Sequence, residues 1–93
     1  MSLKQLQKQI VPILKKSQVK KAAIFGSFAR GEANKKSDID ILIQFQGKKD
    51  LFDLIELKLK IEDQLKRKIH ILTYNSLHPL LKDRILKEQI LIF

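Results

Sequence analysis

Two aspartates near the middle of the chain have the residue type and spacing that could bind a metal ion. Asp38 and Asp40 stand two residues apart at the start of an apolar segment in which Ile39, Ile41 and Ile43 alternate with other side chains. Residues two apart in a β-strand project from the same face, so the two carboxylates should lie side by side. Two such charges repel each other unless a cation lies between them, and Mg²⁺ prefers carboxylate and phosphate oxygens. The pair therefore predicts a site for a divalent metal that also contacts a phosphate group.

A glycine–serine step upstream of the aspartates supplies groups that could hold that phosphate. Gly26 and Ser27 directly follow the apolar segment 19–25, which is predicted to be a buried strand. Glycine allows a ligand to approach the backbone closely, and free amides at the start of a helical turn donate to phosphate oxygens, as does a serine hydroxyl. Arg30 follows in the same segment and, on these grounds alone, is either a surface residue or a partner of Asp38. Together the two segments predict a nucleoside triphosphate site.

The remaining pattern predicts the elements that must position these residues. Strands are predicted at 19–25, 38–45, 68–73 and 90–93, longer helices at 3–17, 50–66 and 76–88, a short helical turn near 26–31 and a polar loop at 32–37. This order predicts an α/β (α+β) fold, with a small mixed sheet of three to four strands and helices packed mainly on one face. Pro12 predicts a kink or a restart in the first helix. Ser76 is the predicted cap of the last helix, with Pro79 in its first turn.

The helix at 50–66 carries more apolar residues than one sheet face requires. Asp50 is its predicted N-cap, with Asp53 as a capping partner. Its apolar residues form two stripes, one of Leu51, Phe52, Ile55 and Leu59 and the other of Leu54, Leu57, Ile61 and Leu65. Either both stripes serve the core of this small chain, or one of them faces a partner.

The two motifs together resemble a known signature. GSFARG at 26–31 followed by SDIDIL at 37–42 looks like the motif of the nucleotidyltransferases of the polymerase-β superfamily. The chain length is similar to that of the minimal nucleotidyltransferases encoded beside HEPN-domain proteins. The resemblance implies a single domain over 1–93 with a polymerase-β-like fold.

The resemblance also implies an activity and a partner. Gly26, Ser27 and Arg30 would hold the triphosphate of ATP, and Asp38 and Asp40 would bind Mg²⁺, with Mn²⁺ as an alternative. The reaction would transfer AMP to an acceptor hydroxyl and release pyrophosphate. In the minimal members paired with HEPN toxins, that hydroxyl belongs to a tyrosine of the toxin, and its modification silences the toxin's RNase activity. This chain would then act as the antitoxin.

His70 is the point at which the sequence departs from the family pattern, which has a third carboxylate on the strand after the long helix. Neutral imidazole is a poor Mg²⁺ ligand but a reasonable general base near neutral pH. His70 is therefore predicted to be the catalytic base of a site in which two aspartates hold a single metal. Two alternatives remain: the chain binds its partner or nucleotide with weak or no catalysis, or another acid such as Glu32 or Asp53 fills the third position.

Size and composition limit the function classes further. The 93 residues are 44% hydrophobic and 31% charged and include no cysteine, which predicts one soluble domain without disulfides or a thiolate metal site. The sequence shows no apolar run long enough to span a membrane and no secretory signal at its start, so we expect a cytoplasmic protein with no membrane partner. The net charge of +9 favours a polyanionic ligand. Because the lysines are scattered and aromatic residues are few, we do not expect a nucleic-acid partner. A homodimer or hetero-oligomer is compatible with the apolar helix at 50–66.

Overall fold

The computed structural model describes residues 2–32 and 37–93 and contains the elements that the hydrophobic pattern predicts. Most of the predicted loop at 32–37 lies outside the described residues. The elements in chain order are helix α1 (Leu3–Lys16), strand β1 (Val19–Phe25), helix α2 (Gly26–Ala29), strand β2 (Ile39–Phe45), helix α3 (Leu51–Leu65), strand β3 (Ile69–Thr73), a 3₁₀ turn (Tyr74–Ser76), helix α4 (Pro79–Glu88) and strand β4 (Ile90–Leu91). No helix in these ranges is long and apolar enough to cross a bilayer.

The four strands form one mixed sheet in the order β3-β2-β1-β4. β2 is a central strand, antiparallel to β1 and parallel to β3, and β4 is antiparallel to β1. This arrangement confirms the predicted mixed sheet. The last strand is shorter than predicted, but Ile92 and Phe93 still exchange backbone hydrogen bonds with Ala22, so the chain end stays tied to the sheet.

The two faces of the sheet are covered to different extents. On one face Ile39, Ile41 and Ile43 are fully buried beneath α1 and α3, as their alternation predicts. On the other face, Leu42 belongs to a smaller cluster that includes side chains of α4. The two long helices therefore share one face, while α4 covers part of the other and leaves the end of β2 that carries Asp40 accessible.

Of the two alternatives predicted at Pro12, the restart is wrong, because α1 continues through this residue. A proline inside a helix removes one backbone hydrogen bond and crowds the preceding turn. Packing compensates for this loss, since Leu6, Ile10 and Leu14, each four residues after the previous one, are completely buried against the sheet.

The predicted start of the last helix is also wrong, because α4 begins at Pro79 and its N-cap is His78 rather than Ser76. The Nδ1 atom of His78 accepts a hydrogen bond from the amide of Leu80 at 3.1 Å. Ser76 instead donates through its hydroxyl to the carbonyl of Thr73 at 2.9 Å, within the 3₁₀ turn. Proline forces the residue before it into an extended conformation, so the helix cannot begin before Pro79.

The two stripes of α3 have different environments. Asp50 and Asp53 form the predicted capping box at its start. Leu57, Ile61 and Leu65 are buried in the core. The stripe of Leu51, Phe52, Ile55 and Leu59 stays exposed, with Phe52 79% accessible. The interpretation in which the core uses both stripes is therefore wrong for the isolated chain.

Alanine substitutions on α3 should separate the two stripes by their effect on stability. Leu57→Ala should lower the free energy of unfolding by about 2–5 kcal/mol, because it leaves a cavity beside fully buried neighbours. Leu59→Ala, on the exposed stripe of the same helix, should change it by less than about 0.5 kcal/mol. Urea denaturation followed by circular dichroism measures both values. Equal losses in the two variants would contradict the assignment of the stripes.

Candidate active site

The turn between β1 and α2 brings the backbone against a carboxylate of the neighbouring strand. Gly26 begins α2 with φ of 71°, a left-handed conformation that favours glycine. A Cβ atom added at this position would overlap the carboxylate of Asp40, so no larger residue fits without displacing it. Gly26 is therefore required both for the direction of the turn and for the space beside Asp40.

Asp40 is placed there by the pairing of the two central strands. Its Cα lies opposite that of Phe25, the last residue of β1. Its side chain is on the face away from α1 and α3 and is 21% exposed. Asp38 precedes β2 and is exposed. Burial raises the pKa of the Asp40 carboxyl, and the negative charge of Asp38 contributes to the rise, whereas His70 and Arg30 oppose it. The two aspartates therefore lie close enough for their charges to interact.

His70 lies directly beside Asp40, because the parallel pairing of β2 and β3 aligns the two residues. Its Nδ1 atom is 3.2 Å from Oδ1 of Asp40, and its side chain is 56% exposed. When Nδ1 carries the proton, it donates to the carboxylate and leaves the lone pair of Nε2 available. The geometry thus gives His70 a carboxylate partner and an accessible second nitrogen.

The acids considered as replacements for a third carboxylate each pair with a group other than Asp40. Glu32 forms an ion pair with Arg30 at 3.0 Å. Asp53 belongs to the capping box at the start of α3. His70 is thus the candidate side chain that lies beside Asp40.

Ser27 and Arg30 lie on the short helix and its C-terminal end. Ser27 is half-buried, and its hydroxyl makes no hydrogen bond to another residue in the described part of the chain. Arg30 follows α2 as its C-cap and contributes a positive charge near Asp40. The structure thus brings Gly26, Arg30, Asp40 and His70 to one end of the sheet, and Ser27 follows Gly26 in α2.

Glu88, at the end of α4, is a member of this region that sequence reasoning missed. Its Oε1 atom accepts hydrogen bonds from the amide of Gly26 at 2.9 Å and from Nη1 of Arg30 at 3.1 Å. No local motif marks Glu88, because it stands 62 residues from Gly26 along the chain. Its place near Gly26 becomes apparent when the last strand is paired with β1.

The donor set is suited to a hard cation shared with a substrate. Within residues 2–32 and 37–93, no three side chains of histidine, cysteine, aspartate or glutamate form a metal-binding group. Two adjacent carboxylates are nevertheless what Mg²⁺ uses when substrate phosphates and water complete its coordination. Asp38 and Asp40 fit that role, and the half-buried charge of Asp40 would be stabilised by a cation.

Known proteins are similar to this chain over most of its length. The family model described as "Polymerase beta, Nucleotidyltransferase" matches residues 8–93. A protein of Methanocaldococcus jannaschii, provisionally named a protein adenylyltransferase, is 51% identical over 90 residues and is matched over 97% of both chains.

Solved structures share the fold. One that is provisionally described as a minimal nucleotidyltransferase has a TM-score of 0.83 and 32% identity, with 97% of this chain and 95% of that chain covered. A toxin–antitoxin structure with AMP-PNP also has a TM-score of 0.83, at 20% identity, covering 94% of this chain and 72% of that one. The family match spans almost the whole chain and includes both motifs, so this protein belongs to the polymerase-β nucleotidyltransferase family.

Proposed function

We propose that this chain is a Mg²⁺-dependent protein adenylyltransferase that transfers AMP from ATP to a hydroxyl group and thereby acts as an antitoxin. The observation that carries the proposal is the convergence of the Asp40 carboxylate, the Gly26 turn and His70 at one end of the sheet. Membership in the nucleotidyltransferase family supports the reaction class. The name of the M. jannaschii relative supports a protein as the acceptor.

Different side chains would hold the metal ion and the phosphates of ATP. Asp38 and Asp40 would hold Mg²⁺ or Mn²⁺, and Ser27 and Arg30 would donate to the phosphate oxygens beside the Gly26 turn. The bound metal would neutralise charge that develops on the phosphates. Because Gly26 has no side chain, the Asp40 carboxylate lies directly against this turn, so a metal on Asp40 would be close to phosphates held there.

His70 is proposed to act as the base. The acceptor oxygen attacks the α-phosphorus of ATP, the bond from that phosphorus to the bridging oxygen breaks, and pyrophosphate leaves. Nε2 of His70 takes the proton of the attacking hydroxyl, while Asp40 holds the ring through Nδ1 at 3.2 Å. The 56% exposure of His70 would let an acceptor on another protein reach it.

The acceptor is proposed to be a tyrosine of a cognate HEPN toxin. The support is the resemblance to minimal nucleotidyltransferases paired with such toxins and the shared fold with a toxin–antitoxin structure. The exposed stripe of α3 offers an apolar surface on which such a partner could bind.

One specific observation favours a second candidate function, which is neutralisation of the HEPN partner by binding alone. His70 stands where the family pattern has a carboxylate, so catalysis could be weak or absent while the exposed stripe of α3 still holds the partner.

Removal of either carboxylate should abolish transfer. Asp38→Asn and Asp40→Asn should each reduce labelling from α-³²P-ATP by more than about 100-fold, because even residues that only orient metal ligands contribute about 10–100-fold. Asp63→Asn, whose side chain is 84% exposed on α3, is the matched control and should label normally. Labelling of the co-purified partner in the presence of Mg²⁺ is measured by gel autoradiography.

The same two variants distinguish the two candidate functions. If they still form the complex but no longer protect cells from the toxin, protection requires catalysis. If they protect cells as well as the native chain does, neutralisation is by binding alone, and the enzymatic function is contradicted.

Substitution of His70 should show whether it is a working base. His70→Gln should lower kcat by about 10²–10⁴-fold with little change in the KM for ATP, because only proton removal is lost. His70→Asp should fail to exceed the native rate. A clear rise in rate for His70→Asp would contradict the proposed base and identify the histidine as a replacement that weakened the site.

The raised pKa of Asp40 predicts a pH-dependent difference in stability. The rise in pKa is caused by burial, which disfavours the ionised form in the folded state. The ionised carboxylate therefore lowers the stability of the folded state, and this penalty applies in full above the folded-state pKa. Below the ordinary aspartate pKa of about 3.9 both states are protonated and the penalty disappears. Without metal, Asp40→Asn should therefore melt at a higher temperature than the native chain at pH 7, and the difference should vanish as the pH falls.

Thermal melts by circular dichroism in EDTA measure this difference, with Asp63→Asn as the control that shows none. Addition of Mg²⁺ should raise the melting temperature of the native chain and leave Asp40→Asn unchanged. A lower melting temperature for Asp40→Asn at pH 7 would contradict the assigned cause.

A further inference from the structure

The carboxylate of Glu88 contacts two groups of the proposed nucleotide site and belongs to none of the motifs that define it. One oxygen, Oε1, accepts from the amide of Gly26 at 2.9 Å and from Nη1 of Arg30 at 3.1 Å. The side chain is only 20% exposed. This is a partly buried, charge-assisted contact between the last residue of α4 and the turn after β1.

Strand pairing explains why Glu88 reaches this turn. β4 runs antiparallel to β1, and Ile90 pairs with Ile24. Glu88 lies two residues before Ile90, and Gly26 lies two residues after Ile24, so this pairing brings the end of α4 close to the turn after β1. A further hydrogen bond, from the Tyr74 hydroxyl to Oε1 of Gln89 at 2.8 Å, fixes the adjacent residue. The sheet thus holds the end of α4 near the turn, where the hydrogen bonds to Gly26 and Arg30 place the carboxylate.

Arg30 is held by two carboxylates of unequal exposure. Its Nε atom donates to Glu32, whose side chain is 64% exposed, and such exposed pairs stabilise little. The contact with Glu88 is better shielded. A guanidinium carries five N–H donors in a fixed plane, and these two contacts use two of them. Glu88 therefore restricts the plane of Arg30 and leaves other donors available for phosphate oxygens.

We propose that Glu88 is a positioning residue of the nucleotide site, which holds the Gly26 turn and the Arg30 guanidinium in the geometry that receives a triphosphate. This inference rests on the proposed function. Groups fixed before the ligand arrives lose less conformational freedom on binding, so affinity is higher. The opposite case is that Glu88 occupies N–H donors that the phosphates need. Loss of its charge would then strengthen binding instead of weakening it.

Equilibrium binding of tripolyphosphate and of AMP-PNP, measured by calorimetry with and without Mg²⁺, tests the proposal. Glu88→Gln keeps an oxygen for the Gly26 amide but loses the charge that holds Arg30, and it should weaken binding of both probes by about 10-fold. Glu56→Gln, which removes a 66% exposed carboxylate that pairs with Lys60, is the matched control and should bind normally.

A double-mutant cycle with Arg30→Ala gives a readout that a purely structural role would not produce. If Glu88 acts through Arg30, Glu88→Gln should cause little further loss of affinity in the Arg30→Ala background. Additive losses would overturn the proposal. Glu88→Asp, which keeps the charge but shortens its reach, serves as a second variant if Glu88→Gln does not fold, and it should also weaken binding.

The outcomes separate this inference from the proposed function. Unchanged or tighter binding by a folded Glu88→Gln, while the native chain binds both probes, would overturn the role of Glu88 alone. Tighter binding would identify Glu88 as a competitor of the phosphates. Failure of the native chain to bind either probe would overturn both proposals.

Discussion

The packing of the Asp40 carboxylate against Gly26 is the constraint on which the candidate site depends. It arises because β1 ends where the antiparallel β2 begins, so the turn that leaves one strand meets the first side chains of the other. Any side chain at position 26 would have to displace the carboxylate, and the left-handed backbone there would be strained. The turn after β1 therefore lies directly beside an acidic group of β2.

The two faces of the sheet have different roles: one forms the main hydrophobic core, and the other carries the candidate site. One face is occupied by fully buried isoleucines beneath α1 and α3, and it supplies most of the apolar burial in a small chain. The other face is only partly covered by α4, so charged groups can gather at its open end. There the folded chain holds Asp40 partly out of water next to Asp38, which is unfavourable for an ionised carboxylate. His70, Arg30 and a bound cation would each offset that cost.

The same architecture leaves an apolar surface that the core does not use. α3 buries Leu57, Ile61 and Leu65, while Phe52 and its three neighbours on the other stripe remain in contact with solvent. Contiguous exposed apolar groups are characteristic of surfaces that bind another protein.

The sequence alone determined the element types and the mixed sheet, and its motifs predicted a site around Asp38, Asp40, Gly26 and Ser27. These features follow from local periodicity and from residues that have few structural alternatives, such as a glycine at a sharp turn. The local pattern did not determine whether α1 would pass through Pro12, because the burial of Leu6, Ile10 and Leu14 outweighs a lost hydrogen bond.

Only the tertiary structure decided which stripe of α3 is buried, that His70 contacts Asp40, and that Glu88 reaches Gly26 and Arg30. The buried stripe of α3 depends on how the helix packs on the sheet. The contacts of His70 and Glu88 depend on which strands pair and in what register, and the pairing joins residues that are far apart along the chain. Such contacts leave no local pattern, because a side chain that meets its partner across a sheet can have any neighbours in the sequence.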